Sequence, residues 1–132
     1  MSISPLAPDS FPDMPHIGGL SLATAASGMK YQGRDDMFLM RGAPESHFAG
    51  LFTQSDTAAA PVQWSQARLA KGTCQSRPAA ILTNAGNANA FTGSKGHQAT
   101  MATADALANA GNIDIDAILL ASTGVIGEPL DT

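Results

Sequence analysis

The order of patterns between residues 79 and 123 constrains the fold more than any other feature of this sequence. Two short apolar runs, AAILT and AILLAS, enclose a long stretch in which alanines recur at helical spacing. Ser94 is placed to cap this predicted helix, and Gly111 is placed to end it. Two strands joined through a helix run parallel in one sheet. We therefore expect residues 79–83 and 117–122 to be parallel neighbours.

The first half of the chain predicts extended segments and one short helix. Proline density within residues 1–16 indicates an extended lead-in, because proline disrupts both helices and sheet ladders. Three short apolar segments then predict strands in an antiparallel meander, followed by a helix that begins after an extended start at Pro61 and ends at Lys71. The predicted strands lie within residues 17–31, 35–44 and 47–55. The fold class is α/β in the broad sense that includes α+β, with residues 17–132 forming one domain.

Composition and charge exclude several classes of protein. The chain has 132 residues, of which 44% are hydrophobic and 14% charged, as expected for a packed domain. The net charge of −4 and the scattered basic residues argue against nucleic acid as a partner. No apolar run is long enough to span a membrane, and the N-terminus lacks the pattern of a secretory signal. The single cysteine, Cys74, excludes an internal disulfide framework, so we expect a cytoplasmic protein.

The candidate functional residues follow the two predicted parallel strands. One polar stretch runs from Thr83 to Gly93 and contains Asn84, Asn87 and Asn89, and the other is Ser122-Thr123-Gly124. Sites in sheets of this kind gather at the carboxyl ends of parallel strands, so both stretches are expected at one rim. The asparagines have two interpretations, a rigid turn or the polar wall of a substrate pocket. The residues alone leave both open.

Other polar residues give weaker signals. Residues 86–95 lack the spacing of a phosphate-binding loop. The three histidines and Cys74 are too widely separated for the paired spacings of a metal site, so no metal is expected. Cys74 is interpreted as a bystander in a loop, and Asp114 and Asp116 as the polar start of a turn or strand. No pair of nucleophile and base is evident.

Two segments give the chain a resemblance to a known family. TNAGNANAFTG, residues 83–93, and LLASTGVIGEPL, residues 119–130, resemble the paired signature of the ornithine acetyltransferase family, the glutamate N-acetyltransferases of arginine biosynthesis. ATAASGMKYQGRDD, residues 23–36, and GLFTQSDTAAAPV, residues 50–62, are similar to earlier segments of the same family. The resemblance covers nearly the whole chain from Ile17 onward.

The resemblance implies a layered α-β-β-α sandwich and a self-cleaving precursor. Cleavage frees a threonine, which begins a second subunit and takes acetyl from N-acetylornithine before passing it to glutamate. Thr123 and Gly124 then correspond to the oxyanion hole. Two copies of each subunit form a hetero-tetramer. Some members also accept acetyl-CoA as a donor, and no bound cofactor is implied.

The chain departs from the family pattern at the nucleophile. The family cleaves at an Ala-Thr-Met run downstream of the STG segment, and this chain stops before that point. Ala99-Thr100-Met101 has the same letters but lies upstream, inside the predicted helix, and is interpreted as a coincidence. We therefore expect an N-terminal part of the enzyme, with an incomplete sandwich and no activity alone. The alternatives are a non-catalytic binding module and part of a related amidopeptidase with an N-terminal nucleophile.

Overall fold

The computed structural model describes residues 5–10, 12–44, 46–72 and 79–130. Before Leu20 the described residues contain neither helix nor strand. None of the described helices is long and apolar enough to cross a membrane. The elements are β1 (Leu20–Ala25), β2 (Met37–Gly42), α1 (Ala60–Lys71), β3 (Ala80–Asn87), α2 (Gly93–Gly111), a short 3-10 helix (Ile115–Ala117) and β4 (Ile118–Val125).

The four strands form one sheet in the order β1-β2-β3-β4. The pairs β1–β2 and β2–β3 are antiparallel, whereas β3 and β4 are parallel, with Ala80 opposite Ile118 and Asn84 opposite Ser122. The chain crosses from β3 to β4 through α2. The predicted strand-helix-strand unit and its parallel pair are therefore confirmed, and the fold is a mixed α+β arrangement.

The predicted strand at residues 47–55 is wrong, and so is the three-stranded meander. The second edge of β2 is occupied by β3, which pairs with it from Met37 to Arg41. The backbone of residues 47–55 forms no strand. The side chain of Phe48 packs against the core, and Leu51 is fully exposed. A short segment with isolated aromatic residues satisfies the alternation rule, but the longer apolar β3 occupies the available edge.

Both helices begin differently from the prediction. α1 is helical from Ala60, and Pro61 lies in its first turn. Proline is tolerated there because no hydrogen bond within the helix uses the N–H groups of the first turn. α2 begins at Gly93 with Thr92 at the N-cap, so Ser94 lies inside the helix and does not cap it. α2 also continues through Gly111.

The core lies between one face of the sheet and the two helices. Leu82, Ile118 and Leu120 point to this face, where they pack with Ala104 of α2 and with Ile113. The helices therefore cover the face on which the even-numbered residues of β3 and β4 lie.

Helix α1 also covers the free edge of β4. The hydroxyl of Ser65 donates to the carbonyl of Leu120 and accepts from its amide, both at 2.8 Å. The indole Nε1 of Trp64 donates to the carbonyl of Ile118 at 2.9 Å. These bonds satisfy backbone groups that an edge strand otherwise presents for aggregation.

The opposite face of the sheet carries a row of apolar side chains. Leu22, Met40, Ile81 and Leu119 lie in register across all four strands. Leu22 is 50% exposed. The second sheet of a layered α-β-β-α sandwich would pack against this row, because apolar sheet faces are buried in pairs.

Replacing Ser65 tests the contribution of α1 to the edge of β4. Ser65→Ala leaves the buried amide and carbonyl of Leu120 without their side-chain partner, so we expect the free energy of unfolding to fall by about 1–3 kcal/mol. Ser94→Ala, at an exposed position that does not cap α2, is the matched control and should change it by less than about 0.5 kcal/mol. Denaturant unfolding measures both. Equal effects of the two substitutions would contradict this assignment.

Candidate functional site

The two polar segments meet at the carboxyl ends of β3 and β4, as predicted. Asn84 and Asn87 lie within β3, which extends to Asn87, and Ser122-Thr123-Gly124 lies within β4, which extends to Val125, whereas Asn89 follows β3. Gly86 lies opposite Gly124, and a register shift follows at Asn87, which pairs with both Thr123 and Val125. Such a bulge bends the strand and ends regular pairing.

The contact between Gly86 and Gly124 requires glycine at position 124. Both residues have positive φ angles, +110° and +131° respectively. A Cβ atom on Gly124 would lie 2.3 Å from the carbonyl carbon of Gly86 and 2.6 Å from the amide nitrogen of Asn87. No side chain fits at that separation, so the backbone of β4 can approach β3 closely only with glycine at this position.

Thr123 and Ser122 present their hydroxyls to different faces of the sheet, because side chains alternate along a strand. Ser122 faces the helices and donates to Oδ1 of Asn84 at 2.5 Å. Thr123 is exposed, and its hydroxyl has no hydrogen-bond partner among the described residues. This hydroxyl is therefore available to a ligand, and it lies one residue from Gly124.

The side chains of Asn84 and Asn87 bind neighbouring backbone. Asn84 donates from Nδ2 to the carbonyl of Asn87 at 2.9 Å, in addition to accepting from Ser122. Asn87 donates from Nδ2 to the carbonyls of Glu128 and Pro129 at 3.1 and 3.2 Å. Its Oδ1 accepts from the amide of Asn89 at 2.7 Å.

Asn89 fastens the segment after β3 to helix α2. It is fully buried and has a left-handed backbone with φ of 45°. Its Nδ2 donates to the carbonyl of Gly96 and the hydroxyl of Thr100, and its Oδ1 accepts from Thr92. These bonds occupy the amide, so the geometry of Asn87 and Asn89 favours the rigid-turn interpretation.

A cavity of about 580 Å³ lies between α2 and the sheet. Asn84 and Asn89 line it with Ser122, whereas Asn87 does not. The remainder of the described lining is mainly apolar, with no Lys, Arg, Asp or Glu; it includes Ala25, Met37, Leu39, Thr103 and Leu107. A charged amino acid has no ionic partner among these residues, so this cavity alone does not suit such a ligand.

Sequence reasoning missed the charged pair beside the rim. Nζ of Lys30 lies 2.7 Å from Oε2 of Glu128. The stem of Lys30 also packs against Gly86, because a Cβ added there would lie 2.7 Å from Cβ of Lys30. Lys30 is far from Gly86 and Glu128 along the chain, and only the order of the strands brings them together.

Asp36 was also missed, although it is a buried carboxylate directly before Met37, which pairs with Asn84. Its Oδ1 accepts from the amide of Ser27 at 2.6 Å, while its Oδ2 is buried without a hydrogen-bond partner among the described residues. The Ser27 amide holds the pKa of Asp36 below its ordinary value, and burial opposes that shift. The backbone carbonyl of Asp36 accepts from Ala85, which ties the segment before β2 to β3.

The other polar residues considered from the sequence have structural surroundings. Asp114 caps the 3-10 helix by accepting from the amide of Asp116. The hydroxyl of Thr100 donates to the carbonyl of Gly96 inside α2, so Ala99-Thr100-Met101 is regular helix. Cys74 lies outside the described residues. Within the described residues, no three His, Cys, Asp or Glu side chains form a group that could hold a metal ion.

The sequence model of the ArgJ family matches residues 21–132, which is most of the chain. The chain belongs to the ArgJ family. It is 51% identical over 130 residues to the arginine biosynthesis bifunctional protein ArgJ of Nitrobacter winogradskyi, covering 98% of this chain and 31% of that protein. The ArgJ protein of Brucella suis is also 51% identical over 130 residues, with 30% of its length covered. The chain thus spans less than a third of these ArgJ relatives.

Two crystal structures of ArgJ-type proteins resemble this fold. Ornithine acetyltransferase of Mycobacterium tuberculosis, solved in complex with ornithine, superimposes with a TM-score of 0.78 at 36% identity, covering 86% of this chain and 60% of that one. The ArgJ protein of Bacillus halodurans gives a TM-score of 0.76 at 30% identity, covering 86% of this chain and 59% of that one. The resemblance to the ornithine acetyltransferase family is confirmed.

The lowered pKa of Asp36 predicts a dependence of stability on pH. A carboxylate whose pKa is depressed in the folded state stabilises the fold above its ordinary pKa, near 3.8, and loses that contribution as the pH falls through the folded value. Asp36→Asn should therefore be less stable than the parent at pH 7, and the difference should narrow below about pH 4. Thermal unfolding midpoints between pH 3 and 7 measure it.

Asp105→Asn, on the exposed side of α2, is the control for a general change in charge. If the difference in unfolding midpoint between the parent and Asp36→Asn stays constant or widens as the pH falls, the role given to the Asp36 carboxylate is contradicted.

Proposed function

We propose that this chain forms the N-terminal part of a self-cleaving enzyme of arginine biosynthesis that transfers acetyl from N-acetylornithine to glutamate. Thr123 and Gly124 supply the oxyanion hole, and the nucleophilic threonine lies outside these 132 residues. Membership of the ArgJ family supports the reaction class. The ornithine bound to the structural relative from Mycobacterium tuberculosis supports ornithine as the leaving product.

The proposed reaction has two balanced half-reactions. The threonine hydroxyl attacks the acetyl carbonyl of N-acetylornithine, so that a C–O bond forms, the C–N bond breaks, and the hydroxyl proton leaves on the amine of ornithine. The amine of glutamate then attacks the acetyl-threonine ester. A C–N bond forms, the C–O bond breaks, and a proton returns to the threonine oxygen.

Each half-reaction passes through a tetrahedral intermediate whose oxygen carries negative charge. Donors fixed in place before that charge develops stabilise the transition state more than the ground state. One juxtaposition carries the proposal: the unpartnered hydroxyl of Thr123 adjoins Gly124, whose peptide is packed directly against Gly86. The hydroxyl of Thr123 and the amide of Gly124 are the two donors we assign.

The same proposal includes the assembly and the setting of the enzyme. Cleavage before the nucleophilic threonine yields two subunits, and two copies of each form the hetero-tetramer. The enzyme uses no bound cofactor, acts in the cytoplasm, and takes acetyl-CoA as an additional donor to be tested beside N-acetylornithine.

Thr123→Ala in the complete enzyme tests the oxyanion assignment. Loss of one donor should lower kcat by about 100- to 1,000-fold while KM for N-acetylornithine changes little. Thr53→Ala, in an exposed loop, is the control. Rates are expressed per cleaved subunit, because a precursor that fails to cleave would imitate the loss. A decrease in kcat of less than about threefold, well under 1 kcal/mol on the barrier, would remove Thr123 from the oxyanion hole.

The isolated 132-residue chain should show no acetyl transfer, because the proposed nucleophile is not within it. Mass spectrometry of N-acetylglutamate formed from N-acetylornithine and glutamate measures this, with the complete enzyme as the positive control. Turnover by the isolated chain would overturn the placement of the nucleophile. Thr100→Ala would then show whether the Ala99-Thr100-Met101 run is the source of that activity.

A further inference from the structure

We propose that Asn87 is a positioning residue for acyl transfer, and that it acts by clamping the segment after Gly124 so that the Gly124 amide stays aimed at the oxyanion. This inference rests on the proposed function. It replaces the prediction that Asn87 forms a wall of the substrate pocket.

Asn87 is buried beside the backbone of Gly124. Asn87 lies at the register shift and pairs with Thr123 and Val125, the residues on either side of Gly124. Asn87 is only 5% exposed and does not line the large cavity. A substrate therefore has little access to its amide, whereas the backbone around Gly124 is in direct contact with it.

The side chain of Asn87 is fully engaged in hydrogen bonds to backbone groups. Nδ2 uses its two protons on the carbonyls of Glu128 and Pro129, and Oδ1 accepts from the amide of Asn89. The side chain thereby joins the end of β3 to the segment that follows β4. A carboxamide is the group suited to this task, because it donates twice and accepts at the same time.

Few other contacts hold that segment. The amide of Ala88 donates to the carbonyl of Val125, and the amide of Gly127 donates to the carbonyl of Ala90, both at 2.9 Å. The backbone of Asn87 also pairs with Val125, but beyond Val125 the further side-chain tie among the described residues is the ion pair of Lys30 with Glu128. This pair is partly exposed, and exposed pairs of this kind contribute little. Without Asn87, the carbonyls of Glu128 and Pro129 lose their side-chain donor.

Gly124 depends on such support because it has no side chain of its own to fix the peptide. Its φ of +131° lies in a region that glycine enters without steric penalty, and no side chain of its own holds it there. Oxyanion donors act only when they are already in place, and a displacement of about 1 Å can reduce the rate by about 100-fold. A clamp on the following residues limits that displacement.

Asn87→Ala and Asn87→Asp in the full-length enzyme test this role. Alanine removes all three bonds. Aspartate keeps the shape and the acceptor for the Asn89 amide, but it replaces both donors by a carboxylate oxygen that repels the carbonyls of Glu128 and Pro129, so it opens the clamp and leaves the turn at Asn89 bonded. We expect kcat to fall by about 10- to 100-fold in both variants, with KM for N-acetylornithine and for glutamate changed less than about twofold. Asn112→Gly, at the exposed left-handed C-cap of α2, is the matched control.

Hydrogen exchange supplies a readout independent of activity. Amides from Gly124 to Glu128 should exchange faster in both Asn87 variants, while those in the middle of α2 should be unchanged. Activity is expressed per cleaved subunit. If Asn87→Ala does not fold, Asn87→Asp tests the positioning role, because its carboxylate still accepts from the amide of Asn89 and so keeps that turn.

The outcomes separate this inference from the proposed function. An inactive parent enzyme would overturn the proposed function itself. An active parent with unchanged kcat and unchanged exchange in Asn87→Asp would overturn the positioning role alone. A raised KM at unchanged kcat would also overturn it, and would return Asn87 to the wall of the substrate pocket.

Discussion

The close backbone contact between Gly86 and Gly124 is the constraint on which the rest of this site depends. It exists because β3 and β4 are parallel neighbours and because Gly124 carries no Cβ atom. The contact brings the amide of Gly124 and the hydroxyl of Thr123 to one rim of the sheet. Helix α1 secures the other side of β4 through Ser65, so the strand that carries the proposed donors is held from both directions.

The three asparagines form a buried polar network in place of an apolar core at this end of the sheet. Such networks are stable only when nearly every donor and acceptor is paired. Asn84 binds Ser122 and Asn87, Asn87 binds the segment after β4, and Asn89 binds the start of α2. Strand ends and helix are thus joined through side-chain amides, and a rigid scaffold of this kind is what preorganised donors need.

The sequence allowed the helix α2 and the parallel pair β3–β4 to be predicted, because their periodic patterns are long. It did not exclude a strand at residues 47–55, since Phe48 and Phe52 lie two strand periods apart, as on one face of a strand. Only the structure shows that β3 takes the place beside β2. The prediction that Ser94 caps α2 was wrong by two residues, because Thr92 is the N-cap and helix boundaries are defined only to within a residue or two. The roles of Lys30 and Asp36 could not be predicted, because their partners Gly86, Glu128 and Ala85 are distant in sequence.

The chemistry of the proposed substrates also argues for the rim over the large cavity. N-acetylornithine and glutamate carry charges that require ionic or strongly polar partners, since an unpaired charge is costly to bury. The cavity between α2 and the sheet offers amides and hydroxyls that are already bonded to one another, as in the contact of Ser122 with Asn84. The rim offers an exposed hydroxyl without a partner at Thr123. Acyl transfer requires donors that are in place and unsatisfied. We therefore propose for this role the unpartnered hydroxyl of Thr123, on the strand whose end we propose that Asn87 holds.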